Sequence, residues 1–414
     1  MSDRRVVITG LGVIAPNGIG KEKFWDALVN GVSGITKITR FDASNYPTQI
    51  AGEVKDFNPE SFIDHKQLKR LHRSSQFAVV ASKLALEDAQ LKIETNEERE
   101  RTGVILGTSI GGQGWIYDQH LAFLRGGYRK INPFTSIAVY PNACSAEVSI
   151  ALSVQGPSET FSFGCSSPLS AGGSAYHMLR SNLVDIMIIG GAEAPLESPI
   201  FAALCMSGNL STRNDEPQKA SRPFDKKRDG LVVSEGAGVL VLEELEHAKR
   251  RGVHIYAEIV GWGETCDAYH PFIPHPSAVQ PARAIELALK QAQCKPKDIN
   301  YICALGLSLS VTDIAETKAI KKVFGAEANK IPISSIKSMI GQPFAAAGAL
   351  QMITSVLTIE NKVIPPTINY ELPDPECDLD YVPNHNRKAD ISYSLTETFA
   401  FGGKNVALVF KKYP

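Results

Sequence analysis

Short apolar runs alternate with amphipathic or small-residue stretches along the whole chain. Residues 5–12, 102–109 (TGVILGTS), 184–193 (VDIMIIGGAE), 239–242 and 301–309 are apolar at nearly every position. A strand with one wet face would alternate apolar with polar residues. Runs without that alternation predict strands covered on both faces, and strands separated by helices predict an α/β fold on a parallel sheet. Helices are predicted over 21–30, 74–89, 243–251 and 313–324, the first with Phe24, Trp25, Leu28 and Val29 on one face.

The stretch 158–177, SETFSFGCSSPLSAGGSAYH, carries the clearest chemical signal. Residues 160–163 predict a short strand, Gly164 a sharp turn, and the small residues after it a helix buried through Ala171, Ala175, Met178 and Leu179. Cys165 then sits at the positive end of a helix, which favours a thiolate and makes it a candidate nucleophile for a thioester. An inert buried cysteine satisfies the same local pattern. Residues 331–350 repeat the strand, sharp turn and small-residue helix, and the run from Ile255 begins as the N-terminus does. Residues 392–410 give strand, Gly402-Gly403 turn and strand, as 187–242 do around a longer insert. Two similar α/β halves, 1–250 and 251–414, are expected. Gly10-Leu-Gly12 follows a strand without GxGxxG spacing and without an acidic partner after a second strand, so no nucleotide site is expected there.

Composition narrows the function classes. The 414 residues carry 43 Lys+Arg against 44 Asp+Glu, a net charge of -1, so nothing points to nucleic acid or a membrane surface. Seven cysteines without a CxxC argue against a disulfide framework or a zinc site and for a reducing cytoplasm. The N-terminal apolar run is too short for a signal peptide, and no run is long enough to span a bilayer. No metal or other cofactor is expected.

Six segments carry a family resemblance: VVITGLGVIAPNG (6–18), GPSETFSFGCSS (156–167), DIMIIGGAEA (185–194), RPFDKKRDGLVVSEGAGVLVLE (222–243), KSMIGQPFAAAG (337–348) and FAFGGKNVALVF (399–410). In that order they resemble the β-ketoacyl-carrier-protein synthases from end to end. The resemblance implies the thiolase fold, two pseudo-repeated halves in five layers α-β-α-β-α. It also implies a cysteine that takes an acyl chain from a carrier protein, and two histidines that help decarboxylate malonyl-carrier protein. Cys165 falls on the nucleophile, Lys337 on the family lysine, Glu316 on that lysine's acidic partner, and Phe401, Gly402 and Gly403 on the gating loop. Both histidine positions are vacated, one by Leu305 and the other by Gln342. Leu307 and Leu309 replace threonines, and Lys404 stands where threonine is commoner. His270 and His275 lie in a loop the family often has beside the site, where packing or capping is the stronger expectation.

A site without its histidines should condense poorly, because donors aimed at the developing oxyanion are usually the largest catalytic term. The chain therefore resembles most the chain length factor of type II polyketide systems, the degenerate sibling that pairs with an active ketosynthase. Its retained cysteine departs from that pattern. The expected partners are a ketosynthase homologue in a heterodimer, an acyl carrier protein and an acyl or polyketide thioester. The alternatives are an autonomous 3-oxoacyl-carrier-protein synthase or acyltransferase using Cys165, and a non-catalytic docking scaffold. Lys66, Lys69, Arg70 and Arg73 are candidates for docking the acidic carrier, and Phe134 and Ile137 for a gate across the dimer.

Overall fold

The computed structural model describes residues 4–414. Ten strands carry the fold: β1 (Val6–Ala15), β2 (Thr102–Gly107), β3 (Ser158–Phe161), β4 (Ile186–Glu193), β5 (Gly236–Glu244), β6 (Ala257–Cys266), β7 (Tyr301–Cys303), β8 (Ile333–Ser334), β9 (Tyr393–Phe399) and β10 (Lys404–Lys412). Their order is β8-β7-β9-β10-β6-β1-β5-β4-β2-β3, with Gly18–Ile19 pairing on β1 as an eleventh strand. The first half therefore reads β3-β2-β4-β5-β1 and the second β8-β7-β9-β10-β6, one topology used twice. The two meet where Val6–Ile8 pairs antiparallel with Ala257–Ile259. The sheet is mixed rather than parallel. β5 runs against β4 and β1, and β10 against β9 and β6. β9 and β10 are joined by a tight turn, and β4 and β5 by the long insert 194–235 that carries a helix at Ser198–Met206.

Two helices lie between the half-sheets, α3 (Ser167–Arg180) on β4 and β10 and α6 (Ala345–Asn361) on β4, β5 and β9. All but the last two residues of α6 are buried, and no charge interrupts it before Glu360. Such a helix can only be an inner layer. Outside, α1 (Arg73–Asp88) and α2 (Ala143–Leu152) cover the first half-sheet, and α4 (Val279–Gln291) the second, with α5 (Ser310–Phe324) packed beside α4. The result is five layers, α-β-α-β-α, the thiolase fold.

The Gly-x-Gly pair of β1 is a packing device. A Cβ at Gly10 would lie 2.2 Å from the Ala85 carbonyl oxygen, and one at Gly12 1.9 Å from that of Ala81, both on α1. Gly261 and Gly263 on β6 meet Ala288 and Ala284 of α4 in the same way, at 2.2 and 2.0 Å. Bare backbone on the strand lets the outer helix of each half seat directly on the sheet. All seven cysteines are free thiols. No helix among the described residues is long and apolar enough to cross a membrane.

Candidate active site

The heads of α3 and α6 converge on Cys165. The thiol sits in a single tight turn, Gly164–Ser166, entered through Gly164 at φ 68°. The Ser167 hydroxyl locks that turn, accepting the Phe163 N–H at 2.7 Å and donating to the Gly164 carbonyl at 2.8 Å. Gly348 of α6 lets the second helix close in, since a Cβ there would be 2.7 Å from the Cys165 carbonyl oxygen. Phe344, at the head of α6, has a positive φ of 41°, a strained conformation for a bulky residue and of the kind that collects at sites.

Burial raises the Cys165 thiol pKa above its ordinary value. The Lys337 charge, the Gln342 amide and the backbone N–H groups of Cys165 and Ser166 pull it down without overcoming desolvation. The helix terminus alone therefore does not produce the thiolate expected from sequence. Gln342 is fixed through its backbone, its N–H donating to Val232 O at 2.7 Å and its carbonyl accepting from Ser234 N at 3.1 Å. Its side chain reaches the thiol, while its Oε1 has no donor. Leu305 is fully buried in the same apolar cluster as Cys165, Phe399 and Ala400, and Leu307 and Leu309 are buried in it too.

The lysine and its expected acidic partner are not paired. Lys337 Nζ donates to Gln351 Oε1 at 3.0 Å. Gln351 in turn donates to the carbonyls of Ala304 (2.8 Å) and Glu397 (3.1 Å). Glu316 instead accepts the backbone N–H groups of Leu305 and Gly306, one on each carboxyl oxygen. Burial depresses the Lys337 pKa and lifts that of Glu316 to about 7. Gln351 was missed in the sequence, although a lone glutamine inside the apolar run AAAGALQMITSVL is the signal that marks it.

The loop expected to gate the site is packed against residues 267–272. Gly402 N–H donates to Pro271 O at 2.7 Å, Asp267 N–H to Gly403 O at 2.8 Å, and the Phe401 and Phe272 rings meet edge-on at 5.6 Å. The gap left there, bordered by His270, Phe272, Phe399 and Phe401, holds about 10 Å³. His270 caps the backbone N–H groups of Phe272 and Ile273, and His275 bonds Ser277, so both serve their own loop. Lys404 pairs with Glu264, which also accepts the Ser170 hydroxyl.

The surface candidates separate. Lys66 and Lys69 are exposed, and Arg70 leans on Glu147 at 3.7 Å. Arg73 is bound at both ends of its guanidinium by the buried Glu235 (2.9 and 2.7 Å) and lies over Phe77, so it holds α1 rather than offering a free charge. Phe134 and Ile137 are exposed, remote in sequence from the turn that holds Cys165.

Residues 3–248 match the β-ketoacyl synthase N-terminal domain and 256–371 its C-terminal domain. The chain is 46% identical to the 3-oxoacyl-[acyl-carrier-protein] synthase 2 of Coxiella burnetii, covering all of this chain and 99% of that one. Among solved structures it resembles the ishigamide ketosynthase/chain length factor (TM-score 0.93, 35% identical, both chains fully covered). It also resembles a type II polyketide acyl-carrier protein in complex with its ketosynthase bound to the hexaketide (TM-score 0.92, 35% identical, both fully covered).

Proposed function

The chain belongs to the β-ketoacyl synthase family, and we propose that it is a 3-oxoacyl-carrier-protein synthase that loads an acyl chain onto Cys165. This is the reading favoured by full-length similarity to a synthase of that name at 46% identity, against 35% for the chain length factor assembly. The observation that carries it is the retained nucleophile. Cys165 stands at the convergence of the two central helices with Lys337 and Gln342 acting on its sulfur.

In the loading step the Cys165 thiolate attacks the thioester carbonyl of an acyl carrier protein. The carbon–sulfur bond to the carrier breaks, and the proton lost by Cys165 ends on the departing carrier thiol. Exposed Lys66 and Lys69 suit an acidic carrier. For the second step, decarboxylation of malonyl-carrier protein, Gln342 offers one amide N–H toward the oxyanion and Leu305 offers none. Each missing donor costs about 100- to 1,000-fold in rate, so condensation is slow.

That loss supports a second reading, a subunit that condenses only beside an intact ketosynthase homologue. Both are separated by one experiment. The purified chain is incubated with acyl-carrier protein and the Cys165 peptide is weighed. Malonyl-carrier protein is then added, with and without an intact ketosynthase. An acyl adduct absent from Cys165→Ala, followed by slow 3-oxoacyl product without a partner, is the expected result. Product only beside the partner, with or without an adduct, selects the second reading, and neither adduct nor added product under either condition overturns both.

A further inference from the structure

Two acids behind the site have no part in the chemistry above. Glu316 and Glu397 are completely buried. Glu316 accepts Leu305 N–H at 2.6 Å and Gly306 N–H at 2.8 Å, pinning the turn, with Gly306 at φ 43°, that presents Leu305. Glu397 lies on β9, two residues before Phe399, which borders the gap beneath Phe401. Neither of its carboxyl oxygens receives a hydrogen bond from any N–H or hydroxyl, and its polar contact is the carboxyl of Glu316. Lys337, the buried cation of the cluster, donates to Gln351 instead.

Two ionised carboxylates in contact and out of water are destabilised twice, by lost hydration and by each other's charge. One proton between them removes the repulsion and supplies the bond Glu397 lacks. We propose that Glu316 and Glu397 are an acid–carboxylate pair that keeps one proton at neutral pH, and that this pair sets the charge felt by Lys337 and the Cys165 thiol. Both are positioning residues, since neither touches the sulfur. The other groups facing the pair are Asp313 of α5, held by Arg228 at 3.3 Å, and Lys337, with Cys303 of β7 facing Lys337 and Tyr381 facing Glu316. Burial, and then repulsion by Glu316, place Glu397 well above the ordinary carboxylate range.

The sign follows. When the shared proton leaves at alkaline pH, a second negative charge appears behind Leu305 and opposes the thiolate at Cys165. In Glu397→Gln the amide donates permanently to Glu316 and the second charge cannot form. Iodoacetamide alkylation of the Cys165 peptide, followed against pH, needs no acyl transfer and so tests the pair whether or not the chain condenses. The midpoint should fall in Glu397→Gln by on the order of half to one pH unit, with the plateau rate unchanged. The wild type should also show the infrared band of a buried protonated carboxylic acid at neutral pH, lost in Glu397→Gln. Superimposable alkylation profiles, or no such band in the wild type, would overturn the proposal. Should the variant fail to fold, the wild-type spectrum decides alone.

Discussion

Leu305 is the residue on which the chemistry turns. A branched alkyl group there gives the oxyanion no donor, and Gln342 gives one that cannot shuttle a proton. Leu305→His with Gln342→His should therefore raise 3-oxoacyl product from malonyl-carrier protein by at least about 100-fold, measured on the chain alone. The buried thiol makes its own prediction. Because burial raises its pKa, Cys165 is mostly protonated at pH 7, and its alkylation rate should still be climbing at pH 9. The positions of Cys165 and Gln342 were legible because each lies inside a contiguous motif, and that of Leu305 because it falls in the apolar run 301–309. The Lys337–Gln351 bond and the Glu316–Glu397 contact were not. They join side chains far apart in the chain, Lys337 to Gln351 of α6 and Glu316 of α5 to Glu397 of β9, which only the folded packing brings together.

At the scale of elements, bare glycine backbone lets each outer helix sit on its strand. Gly12→Ala or Gly263→Ala places a methyl group about 2 Å from a helix carbonyl (1.9 and 2.0 Å) and should cost about 3 kcal/mol or more in urea unfolding. Gly127→Ala, with nothing within 4 Å but φ at 69°, should cost about 1 kcal/mol. In the sequence Gly10-Leu-Gly12 reads as the end of a strand without a nucleotide fingerprint, but β1 runs on to Ala15, and the pair's true partner, a helix more than 60 residues on, was not legible. His72, the N-cap of α1, is almost fully buried, and its pKa falls to about 4. The unfolded chain takes up that proton below about 6.5 and the folded chain only near 4, so stability declines across that window as pH falls. Denaturant titrations at pH 7 and 4.5 should show an acid loss of up to about 3 kcal/mol that His72→Gln largely removes.

For the whole molecule, one face remains unexplained by a single chain. Ile116, Phe123, Leu124, Tyr128, Ile137 and Tyr140 are all well exposed, and β3 leaves the sheet with an open edge. Open edges and apolar patches of this kind are normally covered. Light scattering should find a dimer, alone or with a ketosynthase homologue, that Ile137→Lys weakens at least tenfold. The doubled α/β architecture was legible because apolar runs reappear after Ile255 in the same order. Strand direction was not, because β5 and β10 are as apolar as their parallel neighbours and nothing in their composition marks the reversal.

The buried leucine of this site has a consequence for time rather than rate. A thioester on Cys165 would rest beside Gln342 and the buried Leu305, neither of which can activate water as an imidazole does. Its hydrolytic half-life should exceed that on an intact Cys-His-His homologue. The residue that slows carbon–carbon bond formation is then the one that lets the chain keep its acyl cargo.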